Sequence, residues 1–178
     1  MIDSRIAVDH IGVSVPDLDE AISFFVDVFG FEVVLRAGPY DNFGYVWPGE
    51  DGPEQANLRL AVLRQGEYNV ELLEYTGRSV GDRPPAPRPA DPGGMHLAFY
   101  VEDIYEAEAQ LKGRDDIRFL CPVEKEQGGP LDGLDWAYLL TSWGLVIELI
   151  RWQPGLPYEA ATEKRLAPPP WLRSSMAH

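Results

Sequence analysis

The hydrophobic pattern changes period at regular points along this chain. At the start, Ile11, Val13 and Val15 alternate with polar or small neighbours, so they share one face of a predicted strand. His10 then points to the other face, with Val8 and Gly12. Asp17 follows as a helix N-cap, with Glu20 at the capping-box position three residues on. Leu18, Ala21, Ile22, Phe25, Val28 and Phe29 recur at helical intervals, and Gly30 marks the stop. Strand-like runs come next, at 31–35, 45–47, 58–63 and 69–75.

The same order then repeats. The segment from His10 to Ala21 aligns with His96 to Ala107 at a constant shift of 86 residues. Asp103 takes the cap position, Glu106 the box position, and Ile104, Ala107 and Leu111 form the apolar stripe, with Gly113 as the expected stop. Strand-like runs follow at 117–121, 136–141 and 145–152. Val70-Glu71-Leu72-Leu73 matches Ile147-Glu148-Leu149-Ile150 at a shift of 77. The pattern predicts an α+β protein of two paired βαβββ modules whose sheets form a concave cavity. The expected divisions are a first module at 1–76, a Pro/Gly-rich linker at 77–94, a second module at 95–152 and an extended tail at 153–178. Within that tail, 158–166 reads as a short helix, and its aromatic residues suggest packing on its own module or on a partner subunit.

Strand parity brings in the chemistry. Val70 and Leu72 define one face of their run and leave Glu71 on the other, with Asn69 and Leu73. Ile147 and Leu149 do the same for Glu148, and Leu97, Phe99 and Val101 for His96. If the helices cover the apolar faces, His10, Glu71, His96 and Glu148 line the remaining ones. A single strand histidine is usually structural, but the chain has three, and two occupy equivalent places of a repeat. The third, His178, ends the chain. A Glu inside a β-run is costly when buried without a partner, and both copies place one at the same point. The four residues therefore read as a two-His, two-carboxylate metal site, with a donor set suited to Zn, Ni, Co, Mn or Fe(II).

Composition narrows the alternatives. Fifteen Lys and Arg stand against twenty-nine Asp and Glu, a formal charge of −14, which disfavours nucleic acid as a partner. No apolar run reaches the roughly 20 residues of a spanning helix, and no signal-peptide core opens the chain, so a cytoplasmic protein without a membrane partner is expected. The single cysteine, Cys121, reads as a buried small hydrophobe.

Four segments carry a resemblance to a known family: Val8-Asp9-His10-Ile11-Gly12-Val13-Ser14-Val15-Pro16-Asp17-Leu18, Asn69-Val70-Glu71-Leu72-Leu73, Gly94-Met95-His96-Leu97-Ala98-Phe99 and Val146-Ile147-Glu148-Leu149-Ile150. Over residues 6–152 the chain resembles the vicinal oxygen chelate superfamily. That group includes glyoxalase I, methylmalonyl-CoA epimerase, extradiol dioxygenases and antibiotic-sequestering proteins. The resemblance implies His10, Glu71, His96 and Glu148 as ligands of one divalent ion per chain, and Glu71 and Glu148 as candidate catalytic bases. A complete His/Glu/His/Glu set looks like the glyoxalase and epimerase branch, because extradiol dioxygenases typically lack the ligand at the Glu71 position.

The implied activity is a metal-dependent epimerase or isomerase that moves a proton next to a carbonyl through a chelated enediolate. Its substrate would be a small molecule with two neighbouring oxygens. The opening from His10 and the Asn69–Glu74 run look most like methylmalonyl-CoA epimerase. The aromatic segment 38–55, the linker and the tail depart from that pattern, and the acidic charge favours a smaller keto or polyol substrate over a CoA ester. A glyoxalase I-like lyase, an Fe(II) dioxygenase and a non-catalytic sequestering protein are the alternatives. A homodimer is the expected assembly.

Overall fold

The computed structural model describes residues 7–41, 56–77 and 90–175. The chain divides into two compact units, Met1–Pro84 and Pro85–His178. The strand expected at 45–47 and most of the linker lie outside the described residues.

In the first unit, β1 (His10–Ser14), α1 (Leu18–Phe29), β2 (Glu32–Tyr40), β3 (Ala56–Gln65) and β4 (Tyr68–Gly77) follow in the anticipated order. The sheet runs β1-β4-β3-β2, with β1 parallel to β4 and the other neighbours antiparallel. Asp17 accepts hydrogen bonds from the backbone N–H of Asp19 and Glu20, two of the donors a helix start leaves free. Gly30 closes the helix at φ 67°, a left-handed conformation that costs a glycine little. The buried side of α1 carries Leu18, Ala21, Ile22 and Phe25, and the sheet offers it Val13, Ala61, Leu63, Val70 and Leu72. Phe25 is fully buried, edge-on to Phe31 at 5.3 Å. Ile11, assigned by parity to this face, is 45% exposed among the described residues.

β2 runs five residues past its expected end at Leu35. The strand passes through Gly38–Pro39 at the second of two register shifts, between Ala37 and Tyr40. Gly38 lies at φ 95° against the Leu58 carbonyl, where a β-carbon would collide with backbone.

The second unit contains β5 (His96–Tyr100), α2 (Ile104–Leu111), β6 (Ile117–Phe119), β7 (Glu124–Lys125), β8 (Asp135–Thr141) and β9 (Val146–Arg151). Its sheet runs β5-β9-β8-β6, with β5 parallel to β9, and the two-residue β7 pairs with β8 as an addition to the expected pattern. Asp103 caps α2 through the N–H of Tyr105 and Glu106. This helix ends differently from α1: Lys112 leaves it in an extended conformation and Gly113 follows at φ 92°. Leu97, Ile104, Ile117, Ala137, Leu139, Ile147 and Leu149 form the apolar core.

Buried among them, Asp135 is 1% exposed, with Arg151 Nη1 at 3.1 Å from Oδ2 and Lys125 Nζ at 3.1 Å from Oδ1. The lysine contact is an ion pair outside hydrogen-bonding angles. Cys121 is half-buried rather than buried. It lies just past β6, where its Sγ accepts from Tyr138 N at 3.3 Å in place of a ladder carbonyl.

The tail packs on its own unit. Trp152 and Leu156 join Leu134 in a buried cluster, flanked by Tyr100, Trp136, Ile150, Tyr158 and Leu172. The helix expected at 158–166 is replaced by a 3₁₀ turn at Pro157–Ala160 and a helix α3 at Pro170–Ser175. Both begin at a proline, whose fixed φ and missing N–H suit the first turn and not the interior.

Candidate functional site

In each unit one histidine and one glutamate meet on the sheet face opposite the helix. β1 lies parallel to β4 with Gly12 beside Glu71, so His10 and Glu71 project from the same side. His10 Nε2 stands 3.2 Å from Glu71 Oε2. In the second unit β5 lies parallel to β9 with Ala98 beside Glu148, and His96 Nε2 stands 3.0 Å from Glu148 Oε2. The parity reading therefore holds within each unit. Among the described residues, no three His, Cys, Asp or Glu side chains are grouped so as to hold a metal ion.

The first pair is electrostatically incomplete. His10 Nδ1 is 2.8 Å from Asp9 Oδ2, and that hydrogen bond is the foremost cause that raises the imidazole pKa above its ordinary 6.5. Asp9 is tied in turn, because Asn69 Nδ2 donates to its carbonyl at 3.0 Å. A neutral imidazole has one N–H. With that hydrogen on Nδ1, the Nε2 lone pair faces a carboxylate oxygen, and two acceptors confront each other. A cation between them removes the conflict, either a proton or a metal ion. Two donors bound at right angles to one ion at about 2.1 Å each stand about 3.0 Å apart, close to the spacing of both pairs. The nitrogen and oxygen donors, with a carboxylate behind His10, fit a divalent metal.

Glu148 is the more enclosed carboxylate, its side chain 14% exposed against 20% for Glu71. Burial raises its pKa above the ordinary value, and His96 and Tyr138 oppose that rise. Tyr138 is a site residue that the sequence reading did not single out. It lies directly across the β8–β9 ladder from Glu148, its hydroxyl hydrogen-bonds that carboxylate, and its ring meets His96 edge-on at 5.4 Å. The available signal was alternation: Trp136, Tyr138 and Leu140 interleave with the buried Ala137, Leu139 and Thr141, which places Tyr138 on the Glu148 face.

A duplicated βαβββ architecture with a His–Glu pair on each sheet defines a class, and comparison identifies it. The family model of the Glyoxalase/Bleomycin resistance protein/Dioxygenase superfamily matches residues 7–146, and the chain belongs to that superfamily. A 2-epi-5-epi-valiolone epimerase from Actinomyces sp. is 37% identical over 169 residues, covering 94% of this chain and 91% of that protein. Among solved structures, a glyoxalase family protein from Bacillus cereus shares the fold at a TM-score of 0.66 and 24% identity, over 85% of this chain and 97% of that one. The fosfomycin resistance protein FosX from Listeria monocytogenes, in complex with Mn(II) and sulfate, matches at a TM-score of 0.53 and 15% identity, over 89% of this chain and 99% of that one. Among the described residues, no helix is long and apolar enough to cross a membrane.

Proposed function

We propose that this chain is a metal-dependent epimerase of a small keto-polyol, with His10, Glu71, His96 and Glu148 as ligands of one divalent ion per chain and each unit contributing one His–Glu pair. The observation that carries the reading is the equivalence of the two pairs, Nε2 to Oε2 at 3.2 and 3.0 Å, at matching places of a repeat. The likeness to a 2-epi-5-epi-valiolone epimerase along nearly the whole chain supports the reaction class and a substrate of that kind.

A divalent ion held by these residues supplies electrophilic polarisation of a carbonyl, which acidifies the neighbouring C–H. The protein's own groups handle the proton. A carboxylate oxygen of Glu71 or Glu148 takes it from carbon, the C–H electron pair becomes a C=C bond, and the carbonyl π pair passes onto oxygen. A proton returned to the other face of the same carbon gives the epimer, with no net gain or loss of atoms or electrons. Asp9 keeps the His10 ring oriented, with Nε2 toward Glu71.

Elemental mass spectrometry on protein offered Zn, Ni, Co, Mn and Fe tests the site. The expected result is about one ion per chain, lost in His96→Ala. Incubation with 2-epi-5-epi-valiolone in deuterated water tests the reaction, and deuterium at one carbon of the substrate–product pair is expected. Failure to bind any of the five metals overturns the metal reading. Binding of the keto-polyol without exchange or turnover would make the protein a sequestering one.

A further inference from the structure

The two His–Glu pairs occupy equivalent places, yet their surroundings are not equivalent. In the second unit the residue opposite Glu148 is Tyr138, whose hydroxyl hydrogen-bonds the carboxylate. The ring of Tyr138 also packs edge-on against His96, at 5.4 Å and 83°. Trp136 packs against the same ring at 5.5 Å. Glu148 is therefore held by two side chains, one of which is itself fixed by packing.

In the first unit the residue opposite Glu71 on β3 is Val62, which has no hydrogen-bonding side chain. On the β1 side stands Gly12, and a β-carbon there would come within 3.9 Å of Glu71 Oε2. The missing side chain leaves only the flexible tip of Leu73, whose Cδ1 lies 3.2 Å from that point, to give way beside the carboxylate. Among the described residues, the polar partner of the Glu71 carboxylate is His10 alone. A carboxylate that shuttles a proton must swing between its resting place and the substrate, and a carboxylate clamped at both ends cannot. The clamp and the yielding neighbour fall on different sides of the repeat.

We propose that Tyr138 is a positioning residue that fixes Glu148 as a rigid ligand, and that Glu71 is the carboxylate that takes the proton from substrate carbon. This division of labour rests on the metal-dependent epimerase reading. Glu71 removes the proton from one face, the C–H pair becomes a C=C bond as the C=O π pair moves onto oxygen, and those electrons return when water gives a proton to the opposite face of that carbon, the resulting hydroxide being neutralised by the proton held on Glu71.

The test compares Tyr138→Phe, Glu148→Gln, Glu71→Gln and the double variant Tyr138→Phe/Glu148→Gln with wild type. Tyr105→Phe, an exposed tyrosine of the same unit, serves as control, and circular dichroism checks each fold. Metal affinity and the visible spectrum of the Co(II)-loaded protein are read first, then deuterium exchange into 2-epi-5-epi-valiolone.

Tyr138→Phe is expected to weaken metal binding about tenfold or more and to shift the Co(II) bands. It should have no further effect once Glu148 is Gln, because the two act as one unit. Glu71→Gln is expected to weaken metal binding and, when saturated with metal, still to lose exchange by a factor of about 100 or more, while Glu148→Gln keeps measurable exchange when saturated with metal. Additive effects of Tyr138 and Glu148, unchanged Co(II) bands in Tyr138→Phe, or exchange that survives in Glu71→Gln and vanishes in Glu148→Gln overturn the inference and leave the epimerase reading standing. A wild type that binds no metal overturns both.

Discussion

Arg59 and Glu74 face each other across the β3–β4 ladder, Nε to Oε2 at 2.5 Å, on the sheet face whose other residues are Val70, Leu72, Ala61 and Leu63. The Glu74 side chain is 8% exposed and that of Arg59 41%, so the carboxylate is buried while its partner reaches solvent. There Arg59 also meets Asp19 in the first turn of α1 at 3.2 Å, and Asp19 meets Arg36 of β2 at 2.5 Å. This chain of charges ties the helix start to two strands. Arg59→Ala leaves the Glu74 carboxylate buried without its partner and should cost about 2–3 kcal/mol in urea unfolding. Arg59→Met combined with Glu74→Leu should recover most of that loss. A double variant no more stable than Arg59→Ala would show that the pair does not act as a unit.

Gly12 separates two demands on one position. A β-carbon there would lie 3.2 Å from Leu73 Cδ1, a flexible tip that can give way, and 3.9 Å from Glu71 Oε2. Gly12→Ala should therefore keep metal affinity within about threefold, whereas the branched Gly12→Val should push the Glu71 carboxylate aside and weaken it by about tenfold or more. Isothermal titration with the preferred metal distinguishes the two.

Arg114 grips Asp116 with two hydrogen bonds, Nε to Oδ1 at 2.8 Å and Nη2 to Oδ2 at 2.7 Å. That contact, foremost among its causes, lowers the Asp116 pKa below the ordinary 3.8. A lowered folded-state pKa contributes stability that is present above the unfolded value and lost as pH falls through the folded one. Arg114→Gln should thus be less stable than wild type at neutral pH, with the gap closing as the pH drops below the ordinary aspartate value. Thermal unfolding at a series of pH values measures that gap, and a constant gap would sink the linkage.

Leu156 anchors the tail in the cluster with Trp152 and Leu134. Leu156→Ala should cost about 2–4 kcal/mol, as for other buried leucines. Because Trp136 belongs to both this cluster and the Tyr138 contact, the same change should also broaden the tyrosine ring signals in NMR spectra.

How much of this was legible in the sequence depends on the range of the interaction. The caps at Asp17 and Asp103 were readable because capping is chemistry within three residues. The faces of His10, Glu71, His96 and Glu148 were readable because strand parity is strict. Tyr138 escaped because its role depends on which β8 residue lies opposite Glu148, and register across a hairpin is set by a turn whose geometry a single sequence does not declare. Glu74 and Asp135 lie on faces that parity marks as apolar, and their partners come from neighbouring strands. The passage of β2 through Gly38–Pro39 escaped for a related reason: local signals say break, and the ladder to β3 carries the strand on.

The tail cluster bears on how such an enzyme could change its tastes. Trp136 and Ile150, against which the tail folds, stand on the sheet face that also carries Tyr138 and Glu148. The last stretch of chain is thus an end wall of that face, built from residues none of which is a candidate ligand. Its sequence can drift, and the wall can move inward or outward, while the chemistry on the strands stays untouched. In a duplicated scaffold whose candidate groups are pinned by strand parity, an appended tail of this kind is a place where sequence can vary without touching them.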